Sequence, residues 1–162
     1  EHVTAAYVAW LSDPKVVGMT EQSGLTHTTE DVRQYVESSL AARDAHIWRI
    51  LSSDRHVGNI RLSGINRVHA RASIGIIIGD PTARGRGIGT AAVDLLARHA
   101  LTDLGLHKVT AGIYSLNPAS VRTFLKAGFH VEATLVGHRR HEGRFIDEIL
   151  MARFAGWSQT TT

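Results

Sequence analysis

The sequence predicts an α/β fold in which a mixed, twisted β-sheet is flanked by helices. Residues 74–78 form an apolar run of mostly β-branched side chains, which is typical of a strand buried on both faces. A turn at Gly79-Asp80-Pro81 and a glycine-rich loop at 84–90 follow this run, and the periodicity then becomes helical as far as residue 104. Along the whole chain the predicted elements come in the order ααβββαβαββ, which indicates a mixed sheet with helices on its faces.

Two helices are predicted before the first strand. The first has its apolar residues on one face: Val3, Tyr7, Trp10 and Leu11. Asp13-Pro14 is predicted to end it. A capping box of Thr28 and Asp31 opens the second helix, and its buried face is predicted from the apolar spacing to be Val32, Tyr35, Val36 and Leu40. Residues 19–27 between the helices have no hydrophobic period and are predicted to be a loop.

The first three strands are predicted to be consecutive. Residues 45–51 and 57–62 alternate like strands, and the polar residues 52–55 between them predict a hairpin turn. Residues 66–70 predict a second turn, which leads into the strand at 74–78. Gly75 or Gly79 is a candidate for a β-bulge in that strand.

The middle of the chain predicts a helix, a strand and a second helix. The apolar face of the first helix is Val93, Leu96, Ala97, Ala100, Leu101 and Leu104. Gly105 then occupies a helix C′ position, and 108–114 is predicted to be a strand. Asn117-Pro118 is a favourable N-cap and N1 pair. The buried side of the helix that follows is predicted to be Val121, Phe124 and Leu125.

The chain is predicted to end in a strand pair. Gly128-Phe129 suits a Schellman end for the preceding helix. Residues 130–136 and 145–154 are predicted strands, joined through a turn at 138–143. The tail at 158–162 has no pattern and is predicted to be loose.

Composition limits the class of protein. The chain has 162 residues, no cysteine and a net charge of +3, which predicts a single globular domain over 1–162 without disulfides. No apolar run reaches membrane-spanning length, and no basic run is interleaved with aromatics as a nucleic-acid surface requires. We therefore expect neither a membrane nor a nucleic-acid partner. A reducing cytoplasm is compatible with the composition, and the first residue, Glu1, is compatible with a native start upstream.

The loop after the 74–78 strand predicts a phosphate site. Its residues bring glycines and two cations to a helix N-terminus: Arg84, Gly85, Arg86, Gly87, Ile88, Gly89 and Thr90. Glycines let backbone N–H groups approach a ligand, and a helix N-terminus adds unpaired donors. A Walker loop is disfavoured because no lysine follows the glycines, and the dinucleotide fingerprint fits poorly because the glycines lie several residues past the strand. A solvated glycine-rich turn is the alternative that the loop alone leaves open.

The loop and several other phrases resemble one family. Arg84-x-x-Gly87-x-Gly89 resembles the [Q/R]-x-x-G-x-[G/A] pyrophosphate loop of the GNAT superfamily of N-acetyltransferases. The phrases at 7–14, 58–60, 106–108, 126–129 and 143–147, with Asn117-x-x-Ser120, resemble the RimJ/RimL-like branch most. The predicted element order is similar to the GNAT fold with its first strand missing.

This resemblance implies a co-substrate and a reaction. Acetyl-CoA would place its pyrophosphate on residues 84–90 and its pantetheine beside the backbone of Ile76, Ile77 and Ile78, in a gap where this strand and the 108–114 strand splay apart. A backbone N–H there would serve the thioester oxygen. Asn117, Ser120 and Phe124 would also contact the CoA. The implied reaction is direct attack by a primary amine in a ternary complex, in the cytoplasm, by a monomer or homodimer.

Candidate catalytic residues follow from the same resemblance. Asn117 is expected to serve as an N-cap, to bond the pantetheine or an ordered water as the family asparagine does, or to do both. Ser120 corresponds to a serine thought to protonate the CoA sulfur. Many relatives have a tyrosine where this chain has Phe124, which shifts the acid role to Ser120 or water. Asp147 matches a family aspartate that acts chemically or braces a hairpin. Ser73 stands where many relatives have a glutamate, so the base stays open among His138, His141, Glu142 and a water chain.

The acceptor is predicted from charge. In the family that the chain resembles, the hairpin of the last two strands flanks the acceptor entrance, so the resemblance implies a basic rim there of His138, Arg139, Arg140 and Arg144. Such a rim favours an amine on an anionic small molecule or acidic peptide and disfavours a polyamine. A solvated hairpin tip is the alternative. No zinc site is expected, because His138 and His141 flank arginines without further ligands. Two other functions stay open: a CoA-binding module without catalysis, and a Rossmann-like nucleotide binder.

Overall fold

The computed structural model describes residues 3–20 and 27–156, in five α-helices and six strands. The helices are α1 (Ala5–Leu11), α2 (Pro14–Val17), α3 (Thr29–Ala41), α4 (Ile88–Arg98) and α5 (Pro118–Lys126). The strands are β1 (Ala45–Ser52), β2 (Arg55–Asn66), β3 (Arg71–Ile78), β4 (Lys108–Tyr114), β5 (His130–His141) and β6 (Arg144–Phe154). A 3₁₀ turn at Pro81–Ala83 precedes α4, and a π-helical turn at His99–Asp103 follows it.

The strands form one mixed sheet in the order β1-β2-β3-β4-β6-β5, which confirms the predicted fold class. All neighbouring strands are antiparallel except β3 and β4, which are parallel. That parallel pairing joins only Arg71–Ser73 to Lys108–Thr110. The sheet is therefore continuous at one end and open at the other.

The sheet separates two apolar clusters. The larger cluster packs α4 and α5 on one face, with Leu62, Val93 and Met151 fully buried. The smaller packs α1, α2 and α3 on the opposite face, around Tyr7 and Val32. Helices on both faces of a central sheet are what the predicted order of helices and strands indicates.

The predicted helix caps are confirmed. The Thr28 hydroxyl accepts from the Asp31 N–H, and the Asp31 carboxylate accepts from the Thr28 N–H. At the end of α5, the Phe129 N–H donates to the Phe124 carbonyl and the Gly128 N–H to the Leu125 carbonyl. These two bonds define the Schellman motif that Gly128, with a φ of +80°, permits.

Several predicted details are wrong. Asp13-Pro14 was predicted only to end α1, but Pro14 is the first residue of a further helix, α2, and Asp13 is its N-cap. Leu40 and Leu125 were predicted to be buried but are exposed, because the helices pack through narrower faces than their apolar residues span. The β2–β3 ladder has no bulge at Gly75 and shifts register between Ser63 and Asn66 instead. Gly79 lies just beyond the ladder, where its N–H and that of Asp80 both donate to the Val57 carbonyl, as in a β-bulge.

The hairpin at the end of the chain departs furthest from the prediction. Strand β5 continues through the predicted turn as far as His141, and the turn contains only Glu142 and Gly143. Both turn residues have positive φ, at +46° and +78°, as two-residue hairpin turns require. The basic residues placed in a turn are therefore strand residues.

Two further observations concern the rest of the described chain. Over residues 3–20 and 27–44, before β1, only helices, turns and loop segments occur, and most of the predicted 19–27 loop lies outside the described residues. In the described residues, none of the helices is long and apolar enough to cross a bilayer.

Candidate functional site

The open end of the sheet forms a cleft of about 430 Å³. Beyond Ser73 and Thr110, β3 and β4 diverge, so that β3 stays paired only with β2 and β4 only with β6. One backbone edge of each strand thus faces the gap. This is the splay that the sequence resemblance implied.

The residues predicted along the gap lie on β3. Ile76 and Ile77 line the cleft, and Ile78 is half-buried at the strand end. The prediction that this run is buried on both faces is wrong for these three residues, which are half-buried beside the gap where β4 no longer pairs with β3. Open backbone beside half-buried isoleucines can accept an extended ligand as an added strand.

The glycine-rich loop forms the N-terminus of α4. Gly87 is the N-cap and has a φ of +79°, a left-handed conformation that needs glycine. A Cβ on Gly87 would meet no atom within 4 Å, so the space in front of the loop is open. The next N–H groups, of Ile88, Gly89 and Thr90, belong to the first helical turn and lack helical acceptors. These donors can bind an anion.

The two arginines of the loop have different environments. Arg84 donates from Nε to the Ile78 carbonyl over 3.1 Å and from Nη2 to the Gly79 carbonyl over 3.5 Å. It therefore ties the loop to the end of β3. Arg86 is exposed beside Gly85, whose φ is +72°. Arg84 thus positions the loop, whereas the Arg86 side chain extends into solvent.

Asp80 organises the approach to the loop. Its Oδ1 accepts from the N–H and hydroxyl of Thr82, and its Oδ2 lies 2.6 Å from Arg55. The Thr82 hydrogen bonds, with Arg55 as a smaller cause, hold the pKa of Asp80 below its usual value. The ionised carboxylate therefore keeps the 3₁₀ turn in place at neutral pH.

The α5 residues meet the cleft from the other side. Asn117 caps the helix, and its Oδ1 accepts from the Ser120 N–H over 3.1 Å. Both residues line the cleft. Phe124 also lines it but is only 2% exposed and packs edge-on against Phe129 at 5.0 Å. Its position is primarily that of a core residue.

Asp147 does not line the cleft. Its Oδ1 accepts from the Gly137 N–H over 2.9 Å, and its carbonyl accepts from the Ser115 N–H. The first bond holds the β5 irregularity between Leu135 and Arg139 against β6, and the second joins the end of β4 to β6. Of the two roles that the sequence left open, the geometry supports bracing the hairpin.

Glu148, the next residue, reaches the cleft and was missed. It is 4% exposed, and Arg139 grips it with two hydrogen bonds, from Nε over 2.9 Å and from Nη2 over 2.8 Å. His138 Nε2 lies 3.4 Å from the same carboxylate. The signal that could have found it is Gly112, since an interior strand glycine often marks a close approach. A Cβ on Gly112 would lie 1.8 Å from Glu148 Oε1.

The predicted basic rim is therefore divided. Arg139 is half-buried and paired with Glu148, so it is not a free rim charge. Arg140 and Arg144 are exposed at the end of the hairpin, and strand alternation places Arg140 on the face opposite Arg139. The structure does not bring the four predicted acceptor residues together on one surface.

The opposite wall of the cleft contains residues that the sequence did not single out. Arg61 lies with its guanidinium 5.3 Å from the centre of the Tyr35 ring. Tyr7 is buried beside them, and this burial raises the pKa of its hydroxyl above the usual value. Asn59 supports the same wall, with its Oδ1 3.0 Å from His56 Nε2. Within residues 3–20 and 27–156, no three metal-ligating side chains cluster.

The chain is similar to proteins of one family. The family described as "Acetyltransferase (GNAT) domain" matches residues 1–130. The probable N-acetyltransferase YjcK of Bacillus subtilis is 35% identical over 102 residues, which are 62% of this chain and 56% of that protein. The spermidine N(1)-acetyltransferase of Escherichia coli K12 is 33% identical over 97 residues, which are 60% of this chain and 52% of that protein. The chain thus spans about half the length of these two relatives.

A solved structure shows the same fold. The spermidine N-acetyltransferase of Vibrio cholerae, crystallised with CoA and spermine, matches with a TM-score of 0.81 and 20% identity. The match covers 91% of this chain and 87% of that one. At this identity the likeness supports the fold and not the choice of acceptor.

Proposed function

The chain belongs to the acetyltransferase (GNAT) domain family, and we propose that it transfers the acetyl group of acetyl-CoA to a primary amine. The observation that carries this proposal is the splay of β3 from β4 beyond Ser73 and Thr110. It leaves a backbone edge where an extended thioester can lie. The glycine loop at the N-terminus of α4 lies at the end of the same strand.

The donor half of the site fits CoA. A Cβ on Gly89 would lie 3.6 Å from Ile78 and Thr123 and 3.9 Å from Ile76, so the loop adjoins the end of the gap. In the proposal, the loop N–H groups and Arg86 bind the pyrophosphate, and the β3 edge binds the pantetheine. A backbone N–H on that edge donates to the thioester oxygen as negative charge develops there.

The reaction proceeds in one bound complex. The neutral amine nitrogen attacks the thioester carbon, and the C–S bond breaks to leave an amide and a thiolate. The nitrogen loses one proton to a water chain, which restores the proton of the group that protonates the thiolate, so that no net proton is consumed. We assign the protonation of the thiolate to the Ser120 hydroxyl, because Asn117 holds this residue at the cleft and Phe124 has no ionisable group. Asp147 acts indirectly, as the brace of the β5–β6 hairpin.

The finer parts of the proposal rest on the sequence. They are membership of the RimJ/RimL-like branch, a reaction in the cytoplasm, and one domain over residues 1–162. Polyamines form a second acceptor candidate, favoured by the spermidine acetyltransferases among the relatives. A CoA-binding module without turnover is the competing function.

The test combines turnover with a loop variant. We expect the protein to release free thiol from acetyl-CoA when amines are added. Gly87→Val should weaken CoA binding at least tenfold by calorimetry, because a branched side chain at φ +79° strains the loop and fills the ligand approach.

Gly105→Val is the matched control. Gly105 also has a positive φ, +66°, with open space around it, but it lies at the other end of the α4 segment. It should share the backbone strain and keep CoA affinity. Equal CoA affinity in the Gly87 variant and the parent would contradict the loop assignment, and CoA binding without thiol release from any amine would favour the inactive module.

A further inference from the structure

The cleft has an acceptor wall that the donor half does not use. On the sheet face covered by α1 and α3, Arg61 of β2 lies in register with Gly75 of β3. A Cβ on Gly75 would meet no atom within 4 Å, so the space beside Arg61 is open. Across the gap, Gly112 and Glu148 occupy the same face of β4 and β6. Two glycines therefore border a channel between two charged walls.

The two walls differ in charge. On the β6 side, Glu148 and Arg139 neutralise each other through two hydrogen bonds. On the β2 side, the Arg61 Nε is buried without a hydrogen-bond partner, and the guanidinium contacts the Tyr35 ring. In the part of the chain that the structure describes, the ion pairs around the cleft include Arg139 but not Arg61. The acceptor channel therefore has one uncompensated positive charge.

An uncompensated guanidinium that is partly out of water is a recognition group for an oxyanion. Its planar fork matches a carboxylate or phosphate through paired hydrogen bonds, and loss of water strengthens that interaction. A cationic acceptor gains nothing there, because like charges at short range repel. The neighbouring aromatic rings, Tyr7 and Tyr35, add apolar surface for the carbon chain between the two ends of an acceptor.

We infer that Arg61 selects an acceptor whose primary amine is joined to a carboxylate or phosphate a few bonds away. Neighbouring strands are about 4.8 Å apart, so an amine in the gap beyond Gly75 lies about 5–10 Å from the guanidinium. The inference rests on the proposed acetyltransferase function and specifies its substrate class. It keeps the anionic acceptor expected from the sequence but moves the charge from the hairpin to β2.

The experiment compares acceptors that differ only in charge. 4-Aminobutyrate and 4-aminobutanamide present the same amine, with and without a carboxylate, and 3-aminopropyl phosphate tests the other oxyanion. The parent should use 4-aminobutyrate or the phosphate with a kcat/KM at least tenfold above that of the amide. A preference for 4-aminobutyrate would indicate that the natural acceptor is a carboxylated amine, and a preference for 3-aminopropyl phosphate would indicate a phosphorylated amine. Spermidine should be the poorest acceptor of the four.

Variants then assign the preference to Arg61. Arg61→Gln should bring the ratio of kcat/KM for the anionic acceptor to kcat/KM for the amide near one. It should do so through a higher KM for the anion, while turnover of the amide persists. Arg61→Lys should retain part of the ratio because it keeps the charge. Arg67→Gln, in the exposed turn after β2, should leave the ratio unchanged.

Three results would overturn the inference: a parent ratio near one, a ratio unaffected by Arg61→Gln, or a parent preference for spermidine. A complete lack of thiol release would instead refute the proposed acetyltransferase function. In that case the thermal midpoint of the CoA-bound protein tests Arg61 directly. A rise with 4-aminobutyrate in the parent but not in Arg61→Gln supports the inference, and no rise in the parent overturns it.

Discussion

Glu148 shows how a single residue can constrain an active-site wall. A buried carboxylate is costly unless a partner compensates its charge, and removing one partner of such a pair typically costs about 3–5 kcal/mol. Arg139 supplies that compensation with two hydrogen bonds to the carboxylate, and the centre of the Tyr114 ring lies 5.9 Å from the same guanidinium. This pairing makes the β6 wall rigid and nearly neutral. In our proposal, the charge that distinguishes acceptors therefore comes from the other wall.

Ser120→Ala tests the proton donor. We expect kcat to fall roughly a hundredfold, in the range typical of a lost general acid. The Kd for CoA should stay within about twofold, because the proposed bond forms only as the thiolate departs. Single-turnover kinetics separate the two effects, and the melting temperature should not change, since alanine preserves the helix.

The opposite pattern would contradict this role. A lower CoA affinity with unchanged single-turnover chemistry would make Ser120 a binding residue. Water or another group would then protonate the leaving sulfur.

The roles of two adjacent acidic residues were not predictable from the sequence. Asp147 and Glu148 are adjacent acids on one strand, and a strand directs successive side chains to opposite faces. The sequence alone could not decide which face borders the cleft, because that depends on the pairing of β6 with both β4 and β5. Arg61 was missed because an isolated arginine between Ile60 and Leu62 is typical of a half-exposed strand.

At the scale of elements, two strand glycines have opposite environments. Gly75 faces open space, whereas a Cβ on Gly112 would collide with Glu148. Gly75→Ala should therefore leave the free energy of unfolding within about 0.5 kcal/mol of the parent. Gly112→Ala should lower it by about 1–3 kcal/mol, the usual cost of overpacking.

The two variants should also differ in kinetics. Gly75→Ala places a methyl group in the acceptor channel, so we expect KM for the acceptor to rise about tenfold, which is 1.4 kcal/mol, with CoA affinity unchanged. Urea unfolding and initial rates on the same preparations check both effects. A destabilised Gly75→Ala protein, or one with an unchanged acceptor KM, would mean that the channel is not where the structure suggests.

Elements with local signals were predicted well. Strand β4 has the predicted bounds, and the capping box of α3 and the Schellman end of α5 formed as expected, because caps and glycine turns act within a few residues. The β5 extension to His141 was not predictable in the same way. Charged residues at 138–141 look like a turn, and only pairing with Ile146, Phe145 and Arg144 makes them a strand.

At the scale of the whole molecule, the sheet both separates two apolar clusters and opens between its central strands. The order of elements could be predicted from the sequence, but the place where β3 leaves β4 could not, because it depends on pairing between residues about 37 positions apart. The divergence joins the donor loop, on the α4 side, to the acceptor wall, on the α1 and α3 side. The proposed reaction site therefore exists only in the assembled sheet.

The same two-sided packing predicts how stability depends on pH. His56 connects α1 to β2: its Nδ1 lies 3.0 Å from the Thr4 hydroxyl, and its Nε2 lies 3.0 Å from the Gly58 carbonyl. Burial is the main cause that lowers the pKa of His56, and burial likewise lowers the pKa of His130. Both histidines therefore bind protons more weakly in the folded than in the unfolded state.

This difference sets the sign of the effect. Below the unfolded pKa of about 6.5, the unfolded chain binds more protons, so the free energy of unfolding should fall as the pH decreases from 7.5 to 5. The pKa values of Asp31 and Asp80 are lowered in the folded state, so these carboxylates stabilise the fold only while they are ionised. A second decrease in the free energy of unfolding should therefore begin below about pH 4. Urea unfolding at pH 7.5, 6 and 5 measures the first window. In the His56→Gln variant, the free energy of unfolding should depend less steeply on pH in this window, with the remaining dependence due to His130. A pH dependence as steep as that of the parent would show that His56 is not the group that links protonation to the packing of α1 on the sheet.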